Sequence, residues 1–574
     1  MPTWKEKKSQ APKVEGPYPD LIARVLAARN LDSEQIKDLL NPQLSRLHDP
    51  YLLLGMQKAV DRLVQAYKTQ EKICIYADFD LDGTSGLAIL KIGLEAMGFQ
   101  SVAFYQPRRL SEGYGFHAEA VEELKNLGIS LIVTVDVGIT SFKACEKAQE
   151  LGVDVILTDH HLPAEKLPEA FVVVNPNQKG CTSGLGYLCG AGVAFYLLRA
   201  LKRALSSDSS DGSHQAISPQ AVSFDLKEVL DFFCIGTLTD MVPLVEDNRI
   251  LVKHGLVSLT KTTKPGLKAL LEALHLGDRE LTSQDVAIRF APKLNALSRM
   301  ESDILPIQIY LETDSKKAQQ MVSTVLENNQ TRQTLQGDAE SKALKMLEGW
   351  SEPDFVFVSS EFFHRGVVGL IATKLSQIFN RPAFVGSQNS EGMIVGSGRT
   401  PAGSEVSLVS ALSFAEKKLN RFGGHAAAAG FELHQQNQEH VIADLKRYFQ
   451  ELKTHHQPLE IEFETTAELN EIEAQAMKWY DFLGPFGVGF HVPIVRLKPV
   501  YLQSKKELKG GHLKLSLSNA ERSQFIDALL FSPTQKIVDQ IQVGSDYEVL
   551  TELQWNYFRN NKTIQLLIKD LKIL

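Results

Sequence analysis

Short apolar runs alternate with amphipathic stretches between about residues 50 and 205. The runs begin near Ile73, Val102, Leu131, Val153 and Phe171, and each predicts a buried strand. Each strand is separated from the next by a stretch with helical periodicity. Strands that alternate with helices build a parallel sheet covered on both faces. The pattern therefore predicts an α/β domain with a doubly wound parallel sheet.

The rest of the chain changes pattern several times. The polar segment 206–213 predicts a surface loop, and helical patterns dominate from Leu226 to about Thr313. A helix opened by a cap at Asp314 runs to about Trp350, and from Leu459 short alternating runs predict a small closed or partly closed β-barrel. We expect an N-terminal segment (1–50), the first α/β domain (51–313), a connecting helix (314–350), a second α/β domain (351–455) and the barrel (456–574).

Composition limits the class of protein. The 574 residues are too many for one core, and 44% are apolar, which is ordinary for a globular protein. No run approaches the ~20 apolar residues of a membrane span, and no secretory signal opens the chain. The five cysteines form no CxxC pair, so we expect reduced thiols in a cytoplasmic protein. The net charge of −8 disfavours a general polyanion binder but allows a local basic channel.

Acidic and imidazole groups gather where the apolar runs end. Three aspartates leave the end of the first strand at alternate positions, and another apolar stretch precedes Asp240. Any one of these aspartates could be a helix cap or turn residue, but the set needs a cation to neutralise it. The complete set is Asp78, Asp80, Asp82, Asp136, Asp159, His160, His161 and Asp240.

Carboxylates with one or two imidazoles suit manganese or magnesium better than zinc. The number of carboxylates exceeds the needs of one ion. Two ions ~3.5–4 Å apart, bridged by one aspartate, fit better, and such a pair activates water for in-line displacement at phosphorus. The sequence therefore predicts a two-metal phosphoesterase site.

Four motifs resemble those of the DHH phosphoesterase superfamily, in the same order. They are Asp78-Phe79-Asp80-Leu81-Asp82-Gly83, Thr134-Val135-Asp136-Val137-Gly138, Asp159-His160-His161 and Gly236-Thr237-Leu238-Thr239-Asp240. The segment 423–430 resembles the glycine-rich signature of the DHHA1 domain. Segments 107–115, 188–196, 292–296 and 364–369 narrow the resemblance to the RecJ family of bacterial single-strand-specific DNA exonucleases. The resemblance covers nearly the whole chain.

The resemblance implies a role for each member of the metal set. One metal is held by Asp80 and Asp136, with Asp78 helping. The second is held by Asp82, the bridging Asp136, His160 and Asp240. His161 contacts the scissile phosphate, and Asp159 orients the histidines. The implied reaction is phosphodiester hydrolysis from a 5′ end that releases 5′-mononucleotides, in DNA recombination and repair.

The resemblance also implies contacts with the DNA substrate. Arg109, Asn295, Arg299, Ser397 and Arg399 match the pocket for the 5′-phosphate, although such arginines could instead form solvated surface ion pairs. His425 reaches the nucleotide next to the metals, or else packs at a helix start on a tight turn.

The barrel resembles an oligonucleotide-binding (OB) fold and carries basic residues interleaved with aromatic ones. They are Lys505, Lys506, Lys509, Lys514, Trp555, Tyr557, Phe558, Arg559 and Lys562. The alternative is that the aromatics belong to the core and the lysines form a solvated face.

Two other functions stay open at this point. The chain could be a DHH–DHHA1 phosphodiesterase of short RNA or cyclic dinucleotides, or a relative that holds DNA without cutting it. The C-terminal barrel argues against the first, and the complete ligand set argues against the second. Expected partners are single-stranded DNA, single-strand-binding protein and repair helicases. We expect a monomer without a membrane segment.

Overall fold

A computed structural model describes most of the chain. The described residues are 2–10, 13–206, 216–352, 354–452, 460–531, 533, 535–558 and 561–574. The predicted polar loop, apart from Ser206, and Arg559 lie outside the described residues. None of the described helices is long and apolar enough to cross a membrane.

The N-terminal segment is one strand followed by two helices. These are β1 (Thr3–Glu6), α1 (Asp20–Ala28) and α2 (Ser33–Leu40). Asp32 caps α2 by accepting hydrogen bonds from the backbone N–H groups of Glu34 and Gln35, as expected of an N-cap carboxylate.

The first α/β domain contains a parallel sheet of order β3-β2-β4-β5-β6 with helices on both faces, which confirms the predicted doubly wound sheet. The central strands β2 and β4 are buried throughout, which is why their sequences are continuously apolar. The elements are α3 (Met56–Thr69), β2 (Ile73–Ala77), α4 (Leu81–Ala96), β3 (Val102–Tyr105), α5 (Ala118–Asn126), β4 (Leu131–Val135), α6 (Phe142–Glu150), β5 (Asp154–Thr158), β6 (Val172–Val174) and α7 (Gly190–Ser206).

Helices complete this domain and lead out of it. They are α8 (Pro219–Ser223), α9 (Leu230–Asp240), α10 (Glu246–Thr260), α11 (Pro265–Ala273), α12 (Ala291–Arg299), α13 (Pro306–Leu311) and α14 (Ser315–Met346). A π-helical stretch, Asp285–Phe290, precedes α12. Asp314 accepts a hydrogen bond from the Lys317 N–H, so the predicted cap of the connecting helix is confirmed.

The second α/β domain has a mixed sheet of order β10-β11-β9-β8-β7, in which only β7 and β8 are parallel. Its elements are β7 (Val356–Ser360), α15 (Val368–Phe379), β8 (Ala383–Gln388), β9 (Met393–Arg399), α16 (Leu408–Phe414), β10 (Arg421–Gly424), β11 (Ala428–His434) and α17 (Gln438–Leu452). The glycine-rich segment 423–430 is therefore a β-hairpin, which brings its turn to one edge of the domain.

The C-terminal domain is a closed barrel. Its strands pair in the order β14-β15-β16-β18-β17, and the last of these, β17, pairs back with β14. Buried and exposed residues alternate along its strands, as a small filled barrel requires. Its elements are β12 (Glu460–Phe463), β13 (Thr465–Ala467), α18 (Ala474–Leu483), β14 (Val495–Leu508), β15 (His512–Ser518), β16 (Phe525–Leu530), α19 (Gln535–Gln540), β17 (Asp546–Phe558) and β18 (Asn561–Ile573).

The N-terminal segment packs on this barrel. Strand β1 pairs with β12, and the Trp4 Nε1 donates to the Asp570 carboxylate at 2.7 Å. Leu21 and Ile22 lie in the same apolar core as the barrel strands. The two ends of the chain therefore share one core, which the sequence pattern did not predict.

A loop of the barrel domain fastens it to the first α/β domain. Arg249 of α10 donates to the carbonyl groups of Gly484 and Pro485 at 3.0 and 2.8 Å. The Phe490 ring lies between the guanidinium groups of Arg29 and Arg249, at 4.3 and 4.1 Å from its centroid. These contacts hold the barrel against the domain that carries the acidic set.

Candidate metal and phosphate site

The first motif places its aspartates at the junction of β2 and α4. Asp80 is the N-cap of α4, and its carboxylate accepts from the N–H groups of Asp82 and Gly83 at 2.8 and 3.1 Å. A Cβ at Gly83 would lie 2.5 Å from the Asp78 carbonyl oxygen, so only glycine fits there. The tight turn directs several carboxylates to the same edge of the sheet.

Asp82 is held by the start of another helix. Its two carboxylate oxygens accept from the N–H groups of Gly190 and Ala191 at 2.6 and 2.9 Å, at the first turn of α7. The positive end of that helix favours an anion, which offsets part of the cost of burying this carboxylate.

Asp136 has a backbone φ of +62°, in the left-handed region that non-glycine residues rarely adopt. Its Oδ1 lies 3.1 Å from His160 Nε2, and His160 Nε2 lies 3.6 Å from Asp240 Oδ2. Such strain concentrates at functional sites, where the surrounding structure enforces it. Asp240 ends helix α9 rather than a strand, so the site draws on the sheet edge and on a helix.

Asp159 holds the histidine pair in place. One carboxylate oxygen accepts from the N–H groups of His160 and His161 and lies 2.7 Å from His161 Nδ1, while the other accepts from the Ile139 N–H. Burial alone would lower the pKa of His161, but its hydrogen bond with Asp159 and the nearby carboxylate charges raise it to about 9. This geometry gives Asp159 the orienting position that the resemblance implied.

The set fits divalent cations. Four buried atoms of the set form no hydrogen bond with the described residues, namely Asp78 Oδ1, Asp136 Oδ1, His160 Nε2 and Asp240 Oδ2. The 3.1 Å between Asp136 Oδ1 and His160 Nε2 is a close approach without the geometry of a hydrogen bond. Buried polar atoms are normally paired, so these atoms require a ligand. Oxygen and imidazole donors lie within 4.8 Å of one another in three overlapping groups, which are Asp78–Asp80–Asp136, Asp82–His160–Asp240 and Asp136–His160–His161.

The electrostatics agree with a missing positive charge. Burial and the neighbouring Asp80 raise the pKa of Asp82 to about 6, and burial and Asp82 raise that of Asp240 to about 7. Burial, followed by the surrounding carboxylates, also raises the pKa of Asp136. Like charges this close need a cation to stay ionised together.

Three predicted arginines meet next to this set. Arg109 follows β3, and its guanidinium group lies 5.0 Å from the centroid of the Phe79 ring. Arg299 is the last residue of α12 and donates to the Gly366 carbonyl group. Arg399 is the last residue of β9. Burial, then the charges of Arg109, Arg332 and Arg399, lower the pKa of Arg299 to about 9. Among the described residues none of these guanidinium groups forms an ion pair, so the surface ion-pair alternative does not describe them.

Two neutral residues of the predicted pocket lie beside these arginines. Ser397 accepts a hydrogen bond from Arg399 at 2.7 Å, and Asn295 stands one helical turn before Arg299 on α12. The arrangement offers several guanidinium donors to an anion.

Sequence reasoning missed a fourth arginine. Arg332 lies on α14, where the Asn329 and Gln336 side chains accept from its two terminal nitrogens at 2.7 and 2.9 Å. Its buried Nε has no hydrogen-bond partner among the described residues. An arginine held only by amides on an otherwise polar helix keeps its full charge, but in the sequence it resembles any surface residue.

His425 occupies the turn of the β10–β11 hairpin, so the alternative of a helix-start histidine is wrong. Its ring stacks on that of His161, with centroids 5.9 Å apart and planes at 13°. The Tyr114 ring meets His161 from another direction, at 5.8 Å. The second α/β domain thus reaches over the histidine pair of the first.

The predicted contacts on the barrel have their own partners. Lys514 forms an ion pair with Asp527 at 2.7 Å, and the Trp555 Nε1 donates to Asp481. Lys562 lies 4.1 Å over the Trp555 ring, and Arg279 of the first domain lies 4.3 Å over the Tyr557 ring. The contact of Arg279 with Tyr557 therefore joins the barrel to the first α/β domain.

Comparison with known proteins agrees with this architecture. Family models match the chain at residues 72–237 (DHH family, N-terminal domain), 353–451 (DHHA1 domain) and 463–570 (RecJ OB domain). The single-stranded-DNA-specific exonuclease RecJ of Salmonella typhimurium is 31% identical over 575 residues, which span 96% of both chains. The chain belongs to the RecJ family.

A second relative and a solved structure extend the comparison. RecJ of Bacillus subtilis is 32% identical over 560 residues, covering 96% of this chain and 68% of that protein. The crystal structure of Thermus thermophilus RecJ in complex with Mn²⁺ has a TM-score of 0.77 and 28% identity, covering 97% of this chain and 76% of that one. Another structure of that RecJ contains Mg²⁺. Manganese and magnesium, the metals predicted from the carboxylates and imidazoles, are those named in these two structures of Thermus thermophilus RecJ.

Proposed function

We propose that this RecJ family member is a metal-dependent exonuclease that degrades single-stranded DNA from its 5′ end and releases 5′-mononucleotides. The observation that carries the proposal is the set of four buried, unpartnered ligand atoms beside an arginine cluster without ion pairs. A site for cations next to a site for an anion suits a phosphodiester near a phosphorylated chain end. RecJ relatives over nearly the whole chain support the single-stranded DNA substrate.

Two divalent ions, manganese or magnesium, fit the overlapping ligand groups. Asp78, Asp80 and Asp136 would hold one ion, and Asp82, His160 and Asp240 the other, with Asp136 between them. When bound, such a pair activates a water and neutralises the charge that develops on the phosphoryl group.

The chain's own residues position the substrate. Asp159 keeps the His161 ring oriented, so that His161 contacts the scissile phosphate. Arg109, Arg299, Arg399 and Ser397 bind the terminal 5′-phosphate, with Asn295 beside them. His425 packs over the nucleotide that is cleaved. Binding the chain end at a fixed distance from the metal ligands gives one nucleotide per cut.

We further propose a role in DNA recombination and repair, as a monomer, with single-strand-binding protein and repair helicases as partners that supply the strand. Five free cysteines support a reducing, cytoplasmic location.

The five predicted divisions of the chain remain a proposal. The shared core of the N-terminal segment and the barrel supports treating those two as one unit.

The test uses a 5′-phosphorylated, 5′-labelled single strand and its duplex, with Mn²⁺ or with chelator. We expect labelled mononucleotide from the single strand with Mn²⁺ and none with chelator or from the duplex. The control is Asp136→Ala, which should bind the strand without releasing label. Release only from very short oligonucleotides would instead support a short-RNA or dinucleotide phosphodiesterase, and binding without release by the wild type would support a non-cleaving relative.

A further inference from the structure

Two large apolar side chains are exposed at positions that directly follow His161 and the candidate metal ligand Asp240. Leu162 follows His161 and is 71% exposed, and Met241 follows Asp240 and is 68% exposed. Because consecutive Cα atoms are ~3.8 Å apart, both side chains arise at the rim of the ligand set. Exposing two side chains of this size costs free energy that a bound apolar surface would recover.

The backbone fixes both positions. Asn175 and Asn177 donate to the carbonyl groups of His161 and His160 at 2.9 and 2.6 Å, which pins the loop that carries Leu162. Met241 caps α9 with a φ of +60°, a conformation that is costly for a side chain of this kind. A polar residue or glycine would be the ordinary choice at such a cap, so the apolar side chain is unexplained by the fold.

Aromatic groups continue the same rim. Tyr114 is 44% exposed, and its hydroxyl lies 3.4 Å from both the Asp136 carbonyl oxygen and His161 Nδ1. His425 stacks on the other side of His161. We call Tyr114, Leu162, Met241 and His425 the apolar rim.

We infer that the apolar rim packs against the nucleobases that flank the scissile phosphate. This inference rests on the proposed function, and it adds a basis for selecting single strands. Every base has an apolar face, so the contact is independent of sequence. A base inside a duplex already has both faces stacked, so only an unstacked strand can offer its bases to Leu162 and Met241.

The occupant is a nucleobase because the rim is continuous with groups that bind phosphate. In the proposed site, the metal ligands and His161 bind the phosphate backbone of the strand. Leu162 directly follows His161, and Met241 directly follows Asp240. Along a DNA strand the base likewise branches off next to its phosphate. An apolar peptide has no phosphate to place in the same site.

The test combines rim variants with a substrate that lacks a base. Leu162→Ser and Met241→Ser, singly and together, are assayed on a normal 5′-phosphorylated strand and on one with an abasic residue at the first or second position. We expect the double variant to raise KM about tenfold on the normal strand and to have little further effect on the abasic one. Equal losses on both substrates, or no loss, would overturn the inference. The matched control is Leu127→Ser, which changes an exposed leucine at the end of α5, shortly before β4 begins. This variant should not change KM for the normal strand or for the abasic one.

A binding measurement separates this inference from the proposed function. A strand with 2-aminopurine near its 5′ end reports the surroundings of that base through its fluorescence, and it is added to Asp136→Ala protein with and without the two rim substitutions. We expect the fluorescence of the bound strand to differ between the two proteins, because the base loses its contact with Leu162 and Met241. Identical fluorescence would contradict the rim whether or not the wild type cuts DNA. Absence of nucleotide release by the wild type would contradict the proposed function alone.

Discussion

Gly190 donates its backbone N–H to the Asp82 carboxylate at 2.6 Å, at the first turn of α7. A Cβ at this glycine would lie 2.4 Å from the Cβ of Asp136. One residue without a side chain thus lets a helix end and two candidate metal ligands occupy the same small volume.

Gly190→Ala should therefore disable the site. Either Asp136 or the α7 start must shift, and a displacement of about 1 Å is enough to reduce catalysis on the order of 100-fold. The measurement is kcat on a 5′-phosphorylated single strand, together with Mn²⁺ affinity by calorimetry. The matched control is Gly337→Ala on α14, where nothing lies within 4 Å of the new Cβ, and it should stabilise the fold by about 0.5–1 kcal/mol. Normal kcat in Gly190→Ala would refute the packing argument.

Asp136→Ala should separate metal binding from folding. Asp136 belongs to two of the three candidate ligand groups, so its loss should cut the rise in Tm that Mn²⁺ produces by more than half. Without metal the variant should be at least as stable as the wild type, because one buried like charge is gone. Thermal unfolding with Mn²⁺ and with chelator measures both effects.

The control for this prediction is another buried carboxylate away from the site. Asp231 pairs with Lys264 at 2.7 Å, so Asp231→Ala should lower Tm in both conditions and leave the Mn²⁺-induced rise unchanged. A full Mn²⁺ response in Asp136→Ala would exclude this aspartate from the metal site.

Arg332→Gln should weaken binding of a 5′-phosphate. The Arg332 charge acts on Arg299 and has no carboxylate partner, so its loss should raise KM for 5′-phosphorylated strands about three- to tenfold. KM for 5′-hydroxyl strands should stay unchanged, whereas a purely structural role would affect both. Lys342→Gln, an exposed change on the same helix, is the control. Equal effects on the two kinds of strand end would exclude Arg332 from phosphate recognition.

The sequence predicted the parallel sheet and the acidic set because both depend on local pattern. Continuous apolar runs such as Ile73–Ala77 occur where a strand is buried on both faces, and the carboxyl ends of parallel strands meet at one edge. Asp240 was included because an apolar stretch precedes it, and the structure shows that this stretch is helix α9 instead of a strand. The sequence was therefore sufficient to predict the type of chemistry, but not the element that carries each ligand.

Contacts between distant parts of the chain could not be predicted in this way. The apolar positions of Leu21 and Ile22 indicate that α1 has a buried face, but nothing in them indicates packing on the barrel, more than 400 residues later. Arg332 gives no signal either. Its amide partners lie on the same helix, as on any polar helix surface, and its neighbour Arg299 comes close only because α14 packs on α12. Polar residues with functional partners across domains look like surface residues in a single sequence.

Trp555→Ala should affect long strands more than short ones. Trp555 and Tyr557 lie under Lys562 and Arg279 at the junction of the barrel and the catalytic domain, where a strand leaving the metal site would pass. Trp555 is partly buried against the barrel core. Base stacking on an aromatic side chain contributes about 1–3 kcal/mol per base, so KM for a strand of about 30 nucleotides should rise about tenfold. KM for a strand of about four nucleotides should not change, because it ends before the barrel. Phe525→Ala, which removes an exposed aromatic side chain at the start of β16, is the comparison. If Trp555→Ala shifts both KM values equally, Trp555 stabilises the fold through its hydrogen bond to Asp481 rather than binding DNA.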